Sequence, residues 1–547
     1  MNFESILTGV MNDASWGRSL GLFAPELILC VSIVALLLLR LVNADRWLPS
    51  YLIPLFASLT ALGIAVYSFF QMHGAIEGIP TPGTTQTMFT GLLAYDSLTL
   101  FLRVFLLGFL ALVVTLTMLS GIPDAEDGPD FYTLLLGSTI GMMLMSSANH
   151  LLILFLGIEM TSVPSYAMVG FLKGRRVSSE AAFKYVVYGA GAAGVMLYGI
   201  SLLGGLTGTL EMPVLASRLS ALLGPGGMND PTSRTVALAA MMVLVGLAFK
   251  LSVFPFHFWC PDAFEGAAAE VGGYLSVASK GAAFALLVRF LLAFTGGTSV
   301  DLTSLNLALG VGLGVVAAAT ATFGNLAAYS QTNVKRLLAY STIAHAGYML
   351  MGVAAMVVLL NGPGGVDAAA KGEAATCIEG LLYYLAVYLF MNLGAFAIVA
   401  FLRNEIYSEE ISDYAGLGRQ VPLLGACMMI CLFSLIGLPP FGGFVGKFMI
   451  FASLFQAGKI HMAMWVILVI GTLNTIFSLF YYLRVLKVMF LESRPEGARR
   501  ARVSFMPSGA FVLLVTLPLL LLGASPLVNS MSDAATRVAS MLVASVR

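Results

Sequence analysis

The sequence has little charge for its length. Of its 547 residues, 10% are Asp, Glu, Lys or Arg, whereas a soluble domain carries about 25% of them. The 28 basic residues balance the 28 acidic ones, so neither an acidic partner nor a nucleic acid is indicated. Because 59% of the residues are hydrophobic, the composition is typical of a chain that crosses a membrane many times.

Motifs that hold redox cofactors are missing as well. No CxxC is present, and no cysteine lies near a histidine pair at zinc spacing. No G-x-G-x-x-G or P-loop follows a strand pattern. We therefore expect no cofactor and no metal in this chain, and we expect its cysteines to pack as small apolar residues. These are Cys30, Cys260, Cys377, Cys427 and Cys431.

Long apolar runs are what the sequence has in abundance. A bilayer core of ~30 Å needs about 20 apolar residues of helix. The runs predict an all-α polytopic membrane protein with about 14 transmembrane helices. The first run is too long for a signal peptide and is expected to be kept. The predicted spans are 20–41, 50–72, 97–120, 131–147, 149–172, 182–206, 235–258, 271–295, 303–326, 337–360, 378–402, 422–456, 463–490 and 508–529.

The loops predict an orientation. Those on one side carry more Lys and Arg, among them Lys173, Arg175, Arg176 and Lys335, and such loops stay inside. The loop IPDAEDGPD lies on the same side and works against the rule. Because the number of spans is even, both termini are expected on the outer, periplasmic side of a bacterial-type inner (plasma) membrane.

Two runs contain helix-breaking residues. The seventh contains Pro255, and the twelfth contains LIGLPPFGGFVGKF and is too long for one straight helix. Broken helices at membrane depth are buried in protein or line a wet cavity, and a pair of them indicates an ion path. The broken helix is fourth among spans 4–8 and fourth again among spans 9–13. Because five is odd, the second group must be inverted relative to the first.

This pattern predicts four regions. The predicted regions are residues 1–130 with the first three helices, 131–295 with the first five-helix repeat, 303–490 with the inverted second repeat, and 508–547 with the last helix and a tail.

Four ionisable residues lie deep inside apolar runs: Glu159, Lys250, Lys280 and Lys447. Each is within about four residues of its span's midpoint, or ~6 Å along a helix. A lysine at mid-helix costs ~2.5–3.5 kcal/mol on insertion scales. The pattern favours a proton relay, in which a carboxylate near a buried lysine switches that lysine between its charged and neutral forms.

Simpler interpretations stay open. Glu159 and Lys250 could form an ion pair that only holds helices together, although this leaves Lys280 and Lys447 unpaired. His345 is in the second span of its unit, as Glu159 is in the first unit; it is either a satisfied core residue or a relay member.

Other polar residues are expected to have structural roles. We expect Arg103 and Arg289 either to anchor their helices or to pair locally. We expect Glu26 to face a neighbouring subunit and His257 to contact water.

These stretches resemble a known family. GLAFKLSVFPFHFWCPDAFEGAAAEV, SVASKGA, NVKRLLAYSTIAHAGYMLMG and LIGLPPFGGFVGKF are similar to the antiporter-like subunits of proton-pumping NADH–quinone oxidoreductase, respiratory complex I. LGIEMTSVPSYAMVGF followed by EAAFKYVVYGAGAAGVMLYG is similar to the N subunits in particular. The resemblance covers roughly residues 90–490, and a single helix follows the second repeat, as in that subunit.

The resemblance implies a function. Glu159, Lys250, Lys280 and Lys447 match the family's line of protonatable groups at mid-membrane. Quinone reduction in partner subunits, which carry flavin and iron–sulfur clusters, would drive their protonation changes. The expected partners are the other membrane subunits, including neighbouring antiporter-like subunits, and the lipid bilayer.

One loop departs from the family pattern. Where the family has GAPAPV, this chain has GAAAEV, which places Glu270 near the inner side. Two other functions remain open: a subunit of a multi-subunit sodium/proton antiporter with the same fold, and a scaffold whose charges only pin helices.

Overall fold

The computed structural model describes residues 14–42, 48–73, 85–123, 127–222, 230–294, 300–362, 366–497, 499, 501 and 503–544. Residues 1–13 of the first predicted region, positions 124–126 of the acidic loop and residues 545–547 lie outside this set. The described helices are α1 Ala14–Leu22, α2 Ala24–Leu41, α3 Leu52–Met72, α4 Ser97–Ser120, α5 Gly128–Ser147, α6 Leu151–Val169, α7 Arg176–Thr207, α8 Met212–Leu222, α9 Pro231–Leu251, α10 Trp259–Gly266, α11 Ala269–Leu292, α12 Val300–Ala328, α13 Val334–Leu360, α14 Ala368–Ile406, α15 Leu417–Gln420, α16 Pro422–Ile436, α17 Gly442–Gly458, α18 Met462–Phe490, α19 Ala510–Ala524 and α20 Leu527–Ala544.

Membrane-length helices dominate the described chain, which confirms the predicted fold class. Twelve of its helices are long and apolar enough to cross a membrane, and up to thirteen if a bent pair counts as one span. The two further predicted spans are α5, a helix of 20 residues, and the broken segment α16–α17, whose halves have 15 and 17 residues. A hairpin of two three-residue strands, β1 Gln86–Met88 and β2 Leu93–Tyr95, is the only sheet among the described residues.

Both predicted helix breaks are present. Helix α9 ends where Ser252 adopts a left-handed conformation, with φ +59°, and Pro255 follows before α10 begins. Helix α16 ends in the same way at Gly437, with φ +88°, and two prolines follow before α17. A left-handed residue ends a helix and leaves carbonyls of its last turn without helical donors. Each break therefore exposes backbone oxygens inside the bundle.

Helices α11, α13 and α14 form the centre of the bundle. Their apolar windows are 94%, 100% and 89% buried, against 33% for α7. The predicted spans 4–8 correspond to α5, α6, α7, the pair α9–α10, and α11, whereas spans 9–13 correspond to α12, α13, α14, the pair α16–α17, and α18. The fourth segment is interrupted in each set.

Helix α14 begins ten residues before the predicted span 378–402 and has 39 residues. The extra turns read AAAKGEAATC, which is rich in strong helix formers. The Asp367 side chain caps this start by accepting a hydrogen bond from Ala370 N at 2.7 Å. Hydropathy alone missed these turns because they are not uniformly apolar.

The end of the chain differs from the prediction of one helix and a tail. The predicted span 508–529 ends at Ala524, because Ser525 is extended and Pro526 follows. A further helix, α20, begins at Leu527 and packs along α14 and α4. It is amphipathic, and its buried face includes Ala535, Val538 and Leu542.

Candidate functional site

Lys250 lies in the last turn of α9 and is fully buried. Its Nζ donates a hydrogen bond to Ser162 Oγ on α6, at 3.1 Å. Glu159 lies one turn earlier on α6, and its side chain is only half-buried. Among the ion pairs of the described residues, none joins Lys250 to Glu159. Lys250 therefore meets α6 through a neutral hydroxyl, and the direct ion pair is not formed.

Lys280 lies at the middle of α11 and reaches the first helix break. Its Nζ donates to the carbonyl oxygen of Leu251, the last residue of α9, at 2.7 Å. That carbonyl is free to accept because Ser252 turns the chain out of the helix. A positive group at the C-terminal end of a helix also interacts favourably with its dipole. The break in α9 thus supplies a neutral binding site for this lysine.

Lys447 occupies the second break in a similar way. Its Nζ donates to the carbonyl oxygens of Leu435 and Ile436, at 3.0 and 2.9 Å, both in the last turn of α16. The same atom lies 4.6 Å from the ring centroid of Tyr348, a cation–π contact. At Gly437 a Cβ atom would lie 3.0 Å from the Lys447 side chain, so this turn has little room for a larger residue.

His345 lies on α13 and is enclosed by the hydroxyl groups of Tyr384 on α14 and Tyr482 on α18. Its Nδ1 lies 2.6 Å from Tyr384 Oη, and its Nε2 lies 3.3 Å from Tyr482 Oη. Tyr482 is also hydrogen-bonded to Ser341. Since a neutral imidazole has one donor and one acceptor nitrogen, one tyrosine donates to the ring and the other accepts from it. His345 is a satisfied core residue that also sits within a chain of exchangeable protons.

Comparisons with known proteins identify the family of this chain. The family model described as "NADH:quinone oxidoreductase/Mrp antiporter, TM" matches residues 148–477. NADH-quinone oxidoreductase subunit N of Chlorobium chlorochromatii (strain CaD3) is 37% identical over 510 residues, which cover 92% of each chain. The chain belongs to the family of NADH–quinone oxidoreductase N subunits.

Solved structures extend the likeness to three dimensions. A chain of respiratory complex I from Thermus thermophilus with bound aureothin superposes with a TM-score of 0.69 at 30% identity, over 91% of this chain and 96% of that chain. A chain of the Mrp complex from Dietzia sp. DQ12-45-1b gives a TM-score of 0.73 at 18% identity, over 96% and 99%. The second likeness shows the shared fold alone. The residues matched by the family model include all five predicted site residues of this N-subunit family member.

A buried amide network lies beside Lys447, and sequence reasoning missed it. Asn325 Nδ2 donates to Tyr348 Oη at 3.1 Å and to Asn474 Oδ1 at 3.0 Å, and Tyr481 Oη donates to Asn325 Oδ1 at 3.0 Å. Because Tyr348 also contacts Lys447, the network connects this lysine to α12 and α18. The signal in the sequence was an asparagine in each of two largely apolar spans, Asn325 near the end of α12 and Asn474 near the middle of α18.

A second missed cluster lies at the end of the bundle that carries the loops after α10 and α14. Lys335, predicted as a loop charge, is 1% exposed. Its Nζ contacts Glu409 Oε2 at 2.9 Å and donates to Ala267 O at 2.6 Å. Arg403 lies 3.6 Å from the other Glu409 oxygen. These contacts tie α10, α13 and α14 together.

A more exposed network covers the same end. Asp262 on α10 accepts hydrogen bonds from Lys184 at 2.9 Å and from Arg336 at 2.7 Å. Burial by itself raises the pKa of Asp262, but these two partners outweigh it and hold that pKa below its ordinary value. Arg336 also contacts Glu265. Asp262 therefore links α7 of the first unit to α13 of the second.

The remaining predicted polar residues lie away from the lysines. Arg103 pairs with Glu26 at 2.7 Å, and Arg289 pairs with Asp96 at 2.6 Å, which confirms that both arginines pair locally. The prediction that Glu26 faces a neighbouring subunit is wrong, because Glu26 is fully buried against Arg103. The prediction of water contact for His257 is also wrong: the residue is 1% exposed among phenylalanine rings.

The described residues contain no group of three His, Cys, Asp or Glu side chains that could hold a metal ion. All five cysteines are free thiols. The polar side chains that the described helices bring together carry hydroxyl, amide, carboxyl, amine and imidazole groups.

Proposed function

We propose that this chain moves protons across the membrane as the N subunit of a redox-driven NADH–quinone oxidoreductase. In this proposal the chain has no redox centre, and partner subunits with flavin, iron–sulfur clusters and quinone carry out the electron transfer. The relay consists of Glu159, Lys250, Lys280 and Lys447, with His345 as a further member.

The observation that carries the proposal is how the three lysines are held. Lys250, Lys280 and Lys447 are each at most 3% exposed, and the hydrogen bonds of their ammonium groups go to a hydroxyl or to backbone carbonyls. A lysine paired with a carboxylate keeps its proton, because removing the proton leaves a buried anion. A lysine held by neutral oxygens can exist with or without its proton, which a relay requires.

The half-buried position of Glu159 supports a partner on that side of the molecule. The face of α6 and α7 around it exposes large apolar side chains, including Met160, Val163 and Tyr198. A carboxyl group at mid-membrane is costly beside lipid. We therefore assign this face to a neighbouring antiporter-like subunit rather than to lipid.

The orientation is part of the proposal. We assign the loops after α6, α10, α12 and α14 to the inner side of a bacterial inner membrane, with both termini outside, because the loops on that side carry most of the Lys and Arg residues. Accessibility of cysteines introduced at Lys173 and at Glu211 to a membrane-impermeant maleimide tests this assignment. Labelling of the Lys173 position from outside intact cells would reverse it.

The sodium/proton antiporter remains the second candidate, and the shared fold with the Mrp complex supports it at 18% identity. The 37% identity to an N subunit favours the redox-driven complex.

The deciding experiment is to isolate the native complex in mild detergent and measure NADH-to-quinone electron transfer and proton uptake after reconstitution. We expect both activities, and we expect Lys250→Ala to lower both by about 10²-fold, as loss of a proton-transferring group does. A complex without electron-transfer subunits but with cation-dependent proton exchange would establish the antiporter instead. Normal turnover and pumping in assembled Lys250→Ala complex would contradict the relay.

A further inference from the structure

Glu270 is a buried carboxyl group that the relay does not use. It lies in the first turn of α11 and is 1% exposed. Its Oε2 atom is buried without a hydrogen-bond partner. A buried carboxylate oxygen left unpaired costs free energy, so its presence in the helix core needs a reason.

The positive charges around Glu270 can balance the negative charge of its carboxylate. Lys335 on α13 and Arg403 on α14 act on it electrostatically, and the Ser120 hydroxyl at the end of α4 lies beside it. Glu409 already contacts both cations. We call Glu270, Lys335, Arg403 and Glu409 the surface group. It contains two positive charges and one paired carboxylate, and ionised Glu270 makes it neutral. Protonation of Glu270 leaves one net positive charge there.

This group reaches from the protein surface into the bundle. The side chains of Glu409 and Arg403 are 14% and 13% exposed, whereas Lys335 and Glu270 are 1% exposed. A proton from water can therefore meet the outer pair first and the unpaired Glu270 oxygen next. In the proposed orientation this surface faces the inner side of the membrane.

Hydroxyl groups continue from Glu270 toward Lys250. Tyr274 lies one turn further along α11, about 6 Å deeper. Its Oη is 2.8 Å from Thr139 Oγ1 on α5. The adjacent Ser138 donates to the Thr161 carbonyl on α6 at 3.3 Å.

The next residue on α6 completes the series. Ser162 follows Thr161 and accepts the hydrogen bond from Lys250 Nζ. We call Tyr274, Thr139, Ser138, Thr161 and Ser162 the hydroxyl ladder. These residues lie on α11, α5 and α6, and the last of them, Ser162, contacts the first relay lysine.

We propose that Glu270 is the proton-binding residue through which the first unit takes up protons from the inner side. The Glu270 carboxylate accepts a proton from water at the surface group and becomes a neutral carboxylic acid. It then releases a proton into the hydroxyl ladder and returns to the anion, each hydroxyl of the ladder takes up one proton and gives up another, and the neutral Lys250 amine at the end of the ladder accepts the last proton and becomes the ammonium. This inference rests on the proposed proton-translocating function.

A purely structural role makes a different prediction. If Glu270 only balances Lys335 and Arg403, a shape-conserving amide affects assembly or stability and leaves the pH profile of turnover unchanged. If Glu270 binds the transported proton, the amide changes the rate and its pH dependence, and a shorter carboxyl group restores part of both.

The test uses the whole complex in proteoliposomes, with Glu270→Gln, Glu270→Asp and the control Glu265→Gln. Glu265 is a partly exposed carboxylate on the adjacent α10 and pairs with Arg336. We expect Glu270→Gln to lower turnover and proton uptake about tenfold. This is less than the ~10²-fold typical of a transferring group, because water can replace part of the route. We also expect a changed pH profile, partial rescue in Glu270→Asp and no change in Glu265→Gln.

Two results would overturn the proposal: wild-type rates and pH profile in Glu270→Gln, or a loss of rate that Glu270→Asp does not restore and that leaves the profile unchanged. If Glu270→Gln fails to assemble, Tyr274→Phe decides, since it removes only the first hydroxyl of the ladder. Wild-type behaviour of Tyr274→Phe would then reject the route.

The proposed function is tested separately in the same preparation. If Lys250→Ala loses pumping while Glu270→Gln is normal, the relay stands and only this uptake site is wrong.

Discussion

The two five-segment units hold a lysine at a helix break by different means. In the first unit, Lys280 comes from the fifth segment, α11, and bonds to the end of α9 at Leu251. In the second, Lys447 comes from the second half of the broken segment itself, α17, and bonds to the end of α16. The shared element is the free carbonyl end of a half-helix, and the helix that supplies the lysine differs.

The surroundings of the two units differ more than their breaks. In the second segment of the first unit, Glu159 is half-buried on a face of exposed apolar side chains. At the corresponding place in the second unit, His345 is enclosed by Tyr384 and Tyr482. In the proposed relay, the first unit would exchange protons with a neighbouring subunit at Glu159, and the second would transfer them within the chain at His345.

The largest effect is expected from reversing the charge at either break. Lys280→Glu or Lys447→Glu places a carboxylate against backbone carbonyl oxygens at the negative end of a helix dipole. We expect loss of coupled turnover by more than about 10²-fold and destabilisation of about 3–5 kcal/mol. Proton uptake and thermal unfolding of the assembled complex measure the two effects.

Lys459→Ala is the control, because Lys459 is exposed at the end of α17. Normal pumping in Lys447→Glu with strong loss in Lys280→Glu would show that only the first unit carries protons, and the similarity between the breaks would then be structural.

Glu159→Gln tests the face of the first unit on which Glu159 is half-buried. We expect turnover of the complex to fall about tenfold, since a proton acceptor is lost but Lys250 remains. The free energy of unfolding should change by less than about 0.5 kcal/mol, because the group is half-exposed. The control is Glu180→Gln, which alters a surface carboxylate paired with Lys184. An unchanged rate in Glu159→Gln would remove it from the relay.

His345→Gln and Tyr384→Phe test the hydrogen bonds around His345 in the second unit. Each removes a neutral hydrogen bond worth about 0.5–1.5 kcal/mol, so we expect turnover to fall about threefold to tenfold. Tyr383→Phe is a matched control, since Tyr383 lies next to Tyr384 and bonds to Leu522 instead. Equal rates in all three variants and wild type would make His345 a core residue only.

The smallest effect concerns the link between the units at Asp262. Its folded-state pKa is lowered, so its stabilising contribution is present above the ordinary Asp value and is lost as the pH falls through the folded value. We expect Asp262→Asn to cost about 1 kcal/mol at pH 7, because the pair is partly exposed. The difference should close below about pH 4. Thermal unfolding across this range measures it, and a pH-independent difference would contradict the ion-pair origin.

The sequence predicted the features that follow from strong local constraints. Apolar length predicted the spans, and a proline in an apolar run predicted each break. Lys250, Lys280 and Lys447 were identified by their positions at mid-span. A charge there has a large insertion cost whatever the direction of its side chain. Their roles in proton transfer remain predictions.

Features set by tertiary contact could not be predicted. Tyr384, Tyr482 and Asn325 cost little in an apolar helix, and only the packing of α12, α13, α14 and α18 brings them together. Lys335 was assigned to a loop because its sequence position is near a helix end, yet the crossing of α10 over α13 buries it. The acceptors of Lys280 and Lys447 are backbone carbonyls, which no residue type reveals.

In the proposed relay, the mid-helix position of Lys280 determines how the membrane voltage opposes each step of proton transfer. It is the twelfth of the 24 residues of α11, so a proton arriving there has crossed about half of the membrane. A full crossing against 100 mV costs about 2.3 kcal/mol, and each half of the journey therefore costs roughly 1.2 kcal/mol. A proton-binding residue at the centre of the membrane divides the opposing voltage into two similar steps. Neither proton uptake nor proton release alone must then overcome the whole voltage.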